Sequence, residues 1–192
     1  MRDLIKMVVV LAVICTTSGV VLSYVNTATE APREYQYIKF VQEPSMKAVL
    51  SDYDNDPIKE RIKLVVGENE EGNPIETVVF PAKKGGKTHA VAYSATAKGY
   101  HDLIEVMVGV DPDGTLTGIS IMTHTETPGL GARIEEPEFT DQFQGLDVDT
   151  AKLSDEGGQV DALSGATFST AGVIAAVGSA LEQFPQIKKE TF

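Results

Sequence analysis

Within ten residues the chain gathers one carboxylate and four hydroxyls, in the run Asp161-Ala162-Leu163-Ser164-Gly165-Ala166-Thr167-Phe168-Ser169-Thr170. Hydroxyls spaced this way can hydrogen-bond a phosphate or cap a helix, and the residues after them decide which geometry they inhabit. Val173, Ile174, Val177, Leu181 and Phe184 recur at helical spacing, with Ala175, Ala176, Gly178 and Ala180 between them. The pattern predicts an amphipathic helix over 169–184 with Thr167 or Ser169 as its N-cap. A helix N-terminus leaves backbone N–H groups unpaired and carries partial positive charge, which suits a phosphate. Gly165 and Ala166 have almost no side chain, so a bulky group can approach Thr167 closely. Hydroxyls ahead of a helix are most often simple caps, and local chemistry alone leaves cap and phosphate site both open.

A second stretch has the same character. Thr123-His124-Thr125-Glu126-Thr127-Pro128-Gly129-Leu130-Gly131 has Pro and Gly where a type II turn wants them, at Pro128 and Gly129. Gly129 and Gly131 permit close backbone approach, Leu130 offers apolar contact, and Glu126 and Thr127 offer polar contacts. Gly129-Leu130-Gly131 is not a dinucleotide fingerprint, because Ile134 stands where the third glycine belongs.

The string Asp-x-x-Ser-Gly-Ala-Thr, complete at Asp161, Ser164, Gly165, Ala166 and Thr167, resembles the flavinylation motif of the FMN-binding domains of the Rnf and Nqr respiratory complexes. In those families a flavin transferase esterifies the FMN phosphate onto the threonine that ends the motif. The resemblance therefore implies covalent FMN on Thr167, with Asp161 as the motif's leading acid. Glu-Thr-Pro-Gly-Leu-Gly, at residues 126–131, resembles the second signature of the same domains, a loop beside the isoalloxazine ring. Gly99-Tyr100 resembles the family more loosely. The likeness covers about the whole chain, and its length and order resemble the Rnf G subunits more than the longer Nqr C subunits.

These stretches need elements to position them. With 192 residues there is room for one ordinary domain plus an anchor. The balance of 28 acidic against 16 basic residues, a formal net charge of -12, argues against nucleic-acid partners and for a solvated acidic surface. Cys15 is the single cysteine, so this chain alone builds no disulfide, Cys-based zinc site or iron–sulfur cluster. His89, His101 and His124 lack ligand spacing, and no metal site is expected.

Residues 7–29 carry no charge and are rich in Val, Leu, Ile and Ala, matching the roughly 20 residues that span a bilayer. Arg2 and Lys6 precede the run, which favours a cytoplasmic N-terminus and an extracytoplasmic remainder, although Arg33 and Lys39 on the far side weigh against it. A cleaved signal peptide fits less well. The run is longer than a usual apolar core, no Ala-x-Ala site follows, and Ile14 occupies the small-residue position before Cys15. The expectation is a retained anchor over 1–29, whose Thr16, Thr17, Ser18 and Gly19 suit a helix partner within the membrane.

A charged connector over 30–40, containing Pro32, and a short helix over 44–50 should come next. Asp52-Tyr53-Asp54-Asn55-Asp56-Pro57 fails as a calcium loop, since Pro57 and Lys63 occupy the required Gly and Glu positions, and reads as a turn. From Ile75 the apolar period becomes two, predicting strands over 77–80 and 88–95 around a turn over 81–86. Gly86-Lys87-Thr88 mimics the end of a P-loop, but Pro81 replaces its first glycine. Ile104, Val106, Val108 and Val110 alternate with Glu105, Met107 and Gly109. Asp111-Pro112-Asp113-Gly114 turns the chain, and 116–122 returns. The expected fold is α+β: an antiparallel sheet over 51–192, one face covered by the helix over 169–184, preceded by one transmembrane helix.

The resemblance implies a single-pass membrane protein with an extracytoplasmic FMN domain, partnered by other membrane and peripheral subunits and matured by a flavin transferase. The complex would couple ferredoxin oxidation and NAD reduction to Na⁺ or H⁺ export, with no catalysis by this subunit alone. A C-type subunit of an Nqr-like quinone-linked pump, a module binding a phosphate ligand non-covalently, and a structural docking subunit remain alternatives.

Overall fold

The period-two alternation builds an antiparallel meander of five strands in the order β1-β2-β3-β4-β5. The computed structural model describes residues 1–68 and 74–192. The strands are β1 (Ile62–Glu68), β2 (Pro74–Lys84), β3 (Lys87–Lys98), β4 (Leu103–Val110) and β5 (Leu116–Thr123). A long N-terminal helix, α1 (Arg2–Tyr37), and then α2 (Glu43–Val49) precede the sheet. The short α3 (Pro137–Thr140) comes after it, and the long α4 (Thr167–Thr191) closes the chain.

The sheet has two apolar faces. Val79, Val91, Tyr93, Val106, Val108 and Val110 point to one side, where α4 covers them with Val173, Ala176, Val177, Ala180 and Leu181. Phe80, Ala82, Ala90, Ala92 and Met107 point to the other, where Met46, Val49 and Leu50 of the α2 segment cover them. Covering both faces explains why Val106, Met107 and Val108 in succession are buried, where a one-sided sheet would alternate. Each such side chain contributes about 1.5–3 kcal/mol by leaving water. Tyr93 is buried among them, its hydroxyl donating 2.8 Å to the Ala180 carbonyl, which fastens β3 to α4. Burial also pushes the Tyr93 phenol well above its ordinary ionisation range.

Several element boundaries differ from those expected over 81–86 and 169–184. The β2–β3 turn is the two-residue Gly85-Gly86, both at positive φ (+59° and +79°), and Pro81 lies inside β2 opposite Val91. Pro81 is tolerated because its missing N–H faces the side where β1 has ended, the last pair there being Ile62 with Val79. Asn55 takes over, its side-chain amide donating 2.9 Å to the Pro81 carbonyl and its oxygen accepting from Lys83 N–H. The strand β1 itself, before Ile75, was not expected. Finally, α4 begins at Thr167 and runs through Pro185 to Thr191, since buried Ile187 and the edge contact of Phe192 with Phe184 extend its packing past the proline.

The chain divides into two compact units, Met1–Phe40 and Val41–Phe192. The first holds α1, in which no residue is buried and whose apolar stretch is long enough to cross a membrane. The region expected as a connector is helical as far as Tyr37, Pro32 included, and continues into a π-helical segment at Ile38–Gln42. In the second unit α2 packs on β4 and β5, and Thr117 donates 2.6 Å to the Val49 carbonyl.

Candidate functional site

The functional stretches meet at one end of the sheet, where the segment after β5 faces the N-terminus of α4. Thr127-Pro128-Gly129-Leu130 forms the expected turn, with Leu130 N–H donating to the Thr127 carbonyl at 3.2 Å and Gly129 at φ +74°. His124 braces its start. The Nδ1 atom accepts from Glu126 N–H at 3.0 Å, which leaves Nε2 to donate to Glu135 at 2.9 Å.

Across from it, Leu163-Ser164-Gly165-Ala166 turns into α4. Ala166 N–H donates to the Leu163 carbonyl, and Gly165 sits at φ +81°, a conformation that favours glycine. The N-cap is Ala166, which has no side-chain oxygen, so neither Thr167 nor Ser169 caps the helix as expected. Position excludes the first and a distant partner the second. Thr167 is already the first helical residue, and the Ser169 hydroxyl donates to the Glu126 carboxylate. The Thr170 hydroxyl donates 3.1 Å to the Ala166 carbonyl while accepting from Leu163 N–H. The N–H groups of Thr167, Phe168 and Ser169 lie ahead of the first intrahelical bond, Thr170 N–H to the Ala166 carbonyl.

Between the two turns lies a cleft of about 280 Å³, lined by Tyr100, Glu126, Thr127, Leu130, Gly131 and residues 165–169. The larger hollow along Leu4–Ile14 is the flank of the apolar helix α1 and has almost no polar wall. Of the residues singled out in the sequence, Glu126, Thr127, Leu130, Gly131, Gly165, Ala166 and Thr167 line the cleft. Asp161, Ser164 and Gly129 do not. Asp161 instead accepts a 2.8 Å bond from the Ser154 hydroxyl, and its N–H donates to Gln142 at 2.7 Å, so it organises the approach to the turn. Ser164 lies on the turn itself.

The two cleft hydroxyls on α4 have different roles. Ser169 is 2 % exposed and engaged, whereas Thr167 is exposed and its hydroxyl has no hydrogen-bond partner among the described residues. Phe168 stands outside the expected site residues, and Tyr100 enters them only by resemblance. Phe168 is 71 % and Tyr100 60 % exposed, their ring centroids 6.1 Å apart, and Leu130 is 49 % exposed across the cleft. The signal was present in Phe168, an aromatic residue outside the apolar stripe of α4 and next to the motif's last hydroxyl. Three exposed apolar side chains around a small cleft leave surface that a planar ligand can cover.

Glu126 is, after Ser169, the most enclosed polar residue lining the cleft, at 4 % exposure. Its Oε1 accepts N–H bonds from Tyr100 (2.9 Å) and His101 (3.1 Å), and its Oε2 accepts the Ser169 hydroxyl. Every partner is a donor, which matches the acceptor-only inventory of a carboxylate.

The profile of the FMN-binding domain family matches residues 99–182, which contain both turns and most of α4. The G subunit of an ion-translocating oxidoreductase complex from Methanosarcina acetivorans is 32 % identical over 94 % of this chain and 94 % of its own. The G subunit of a proton-translocating ferredoxin:NAD(+) oxidoreductase complex from Clostridium ljungdahlii is 30 % identical, over 90 % of this chain and 87 % of its own. Among solved structures, NqrC from Shewanella oneidensis superposes with a TM-score of 0.53 at 22 % identity, covering 81 % of this chain and 76 % of that one, a likeness of fold. The C-subunit alternative thus yields to relatives that match nearly end to end. The chain belongs to the G-subunit family of the Rnf-type ion-translocating oxidoreductase complexes, as a membrane-associated electron-transfer subunit with an FMN-binding domain.

Proposed function

We propose that FMN is held covalently, through a phosphoester to the Thr167 hydroxyl, and that the domain carrying it stands on the extracytoplasmic side. The observation that carries this reading is the exposed Thr167 hydroxyl, without a partner among the described residues, at the uncapped N-terminus of α4 on the rim of the cleft. A phosphoester there keeps negative charge beside the N–H groups of Thr167, Phe168 and Ser169, which supply hydrogen bonds and the positive end of the helix dipole. At about 280 Å³ the cleft is near the lower end for ligand pockets, so it suits a group held by one covalent end and only partly enclosed. Tyr100, Leu130 and Phe168 offer apolar contact to the ring, and Thr127 offers polar contact.

Once attached, the flavin supplies electron relay, and the protein sets its surroundings. A covalent bond also prevents loss of the cofactor outside the cytoplasm, where contacts alone would release it slowly. Attachment requires a flavin transferase as partner and an activated flavin phosphate such as a flavin dinucleotide. The Thr167 oxygen bonds the flavin-side phosphorus, the P–O bond to the nucleotide breaks, the nucleotide monophosphate leaves, and the hydroxyl proton passes to solvent. The donor and acceptor named for the Clostridium ljungdahlii relative, ferredoxin and NAD, are extended here to the complex of this chain, with Na⁺ or H⁺ as the exported ion. The test is co-expression with a flavin transferase and then a denaturing gel. Yellow fluorescence should migrate with the polypeptide, and a colourless band above free flavin would favour the non-covalent phosphate module instead.

Two consequences can be measured alongside. Asp161→Ala should lower flavinylation severalfold while changing stability by no more than about 0.5 kcal/mol, because it removes only the exposed bond from Ser154 and keeps the backbone N–H bond to Gln142. Full flavin loading in that variant would reduce Asp161 to an ordinary loop residue. A chain beginning at Arg33 should be soluble, folded and competent to take up flavin, since the compact unit starts at Val41 and both turns lie within it. That truncated chain should not restore electron transfer in membranes, because a freely diffusing domain loses the high local concentration that tethering gives. Full membrane activity without α1 would assign the helix to targeting alone.

A further inference from the structure

We infer that Glu126 is a positioning residue for flavin attachment: its buried carboxylate fastens the first turn of α4 to the Tyr100–His101 turn and thereby fixes where the Thr167 hydroxyl stands. The inference rests on the reading of Thr167 as acceptor and adds to it the device that holds the acceptor still.

Three segments distant in sequence converge on this one side chain. One oxygen takes both N–H groups of the Tyr100–His101 turn, and the other takes the Ser169 hydroxyl, two residues past Thr167. The fit leaves no slack. A Cβ on Gly99 would stand 2.6 Å from Oε1, and one on Gly131 would stand 2.8 Å from Oε2 and 2.6 Å from the Ser169 hydroxyl. Gly172, on the next turn of α4, lies so near that its Cβ would meet Gly99 Cα at 2.9 Å. With glycine on both sides, the carboxylate fills the junction between the two turns. It cannot move outward without leaving two backbone donors and a hydroxyl unpaired in an enclosed site, a loss that costs severalfold to a hundredfold in local opening. Ser169 is therefore occupied as a strut, and of the two cleft hydroxyls on the first turn of α4, Thr167 is the one that has no partner among the described residues.

The experiment uses the full chain co-expressed with a flavin transferase, in wild type, Glu126→Ala, Glu126→Gln and Ser169→Ala. Two quantities are read: the initial rate of flavin incorporation, and amide hydrogen exchange in protein made without the transferase. Glu126→Ala should exchange the Tyr100 and His101 amides at least about tenfold faster and slow incorporation by a similar factor. Glu126→Gln should recover most of both, because its carbonyl can accept the two N–H groups while its amide donates to Ser169. Ser169→Ala leaves Oε2 without its donor, so it should slow incorporation severalfold and lower the melting temperature. It should yet leave exchange at Tyr100 and His101 unchanged because Oε1 keeps both N–H bonds, a pattern that general loosening would not give. Wild-type incorporation in both Glu126→Ala and Ser169→Ala would overturn the inference, as would a Glu126→Gln variant as slow as Glu126→Ala. A wild-type chain that takes no flavin would overturn the acceptor reading, and faster exchange in Glu126→Ala would then still identify the carboxylate as the tie between the turns.

Discussion

Thr167→Ala is expected to abolish covalent flavin while leaving the fold intact. Thr167 is exposed, its hydroxyl holds nothing else in place, and alanine suits the first turn of a helix better than threonine, so the change in stability should stay within about 0.5 kcal/mol. The neighbouring hydroxyls cannot substitute. Ser169 and Thr170 are buried and already bonded, to Glu126 and to the Ala166 carbonyl. Ser164 does not line the cleft. The check is flavin fluorescence on a denaturing gel beside a melting curve of the same preparation. Residual covalent flavin in a folded Thr167→Ala protein would move the attachment to one of those residues.

The second large effect is structural. Gly172→Val should destabilise the domain by about 2–4 kcal/mol and loosen the cleft with it. Gly172 sits on the face of α4 that touches the end of β3, where a Cβ would come within 2.9 Å of both the Lys98 carbonyl and Gly99 Cα. Both are backbone, so neither can rotate away, and the helix must lift from the sheet. The lift would weaken packing around Val173 and Ala176 and pull Ser169 from Glu126. Urea unfolding of wild type and variant measures it: the midpoint should fall with little change in slope. A midpoint unchanged by Gly172→Val would mean that α4 does not pack this closely on the Lys98–Gly99 backbone. Gly131→Val meets the same carboxylate and Ser169 from the other side, so flavin attachment should suffer along with any spectral change.

Much of this fold was legible because its signals are local. The β4–β5 hairpin is written in alternating Val and Ile around Asp-Pro-Asp-Gly, and the type II turn at Pro128-Gly129 arises from the conformations those two residues favour. What escaped was decided by distant partners. Ile62 and Leu64 belong to a paired edge strand, but their alternation is only three residues long before Val65 beside Val66 breaks the period. Pro81 reads as a turn residue until Asn55 is seen to occupy its open side. Ser169 looked like an N-cap because spacing cannot reveal a carboxylate 43 positions earlier. Glu126 likewise read as a polar contact for a ligand, and its bonds to Tyr100 and His101 depend on a turn that β3 and β4 must first bring alongside. The motif residues themselves divide between cleft and support, with Thr167 in the first group and Asp161 in the second.

Peptide mapping tests the central claim most directly. The full chain, matured with a flavin transferase, is digested, and the peptide containing Thr167 is fragmented in a mass spectrometer. It should carry added mass equal to FMN less one water, with the fragment series locating that mass on Thr167 itself. The same mass on Ser164, Ser169 or Thr170, or flavin that separates from the chain before digestion, would contradict the account.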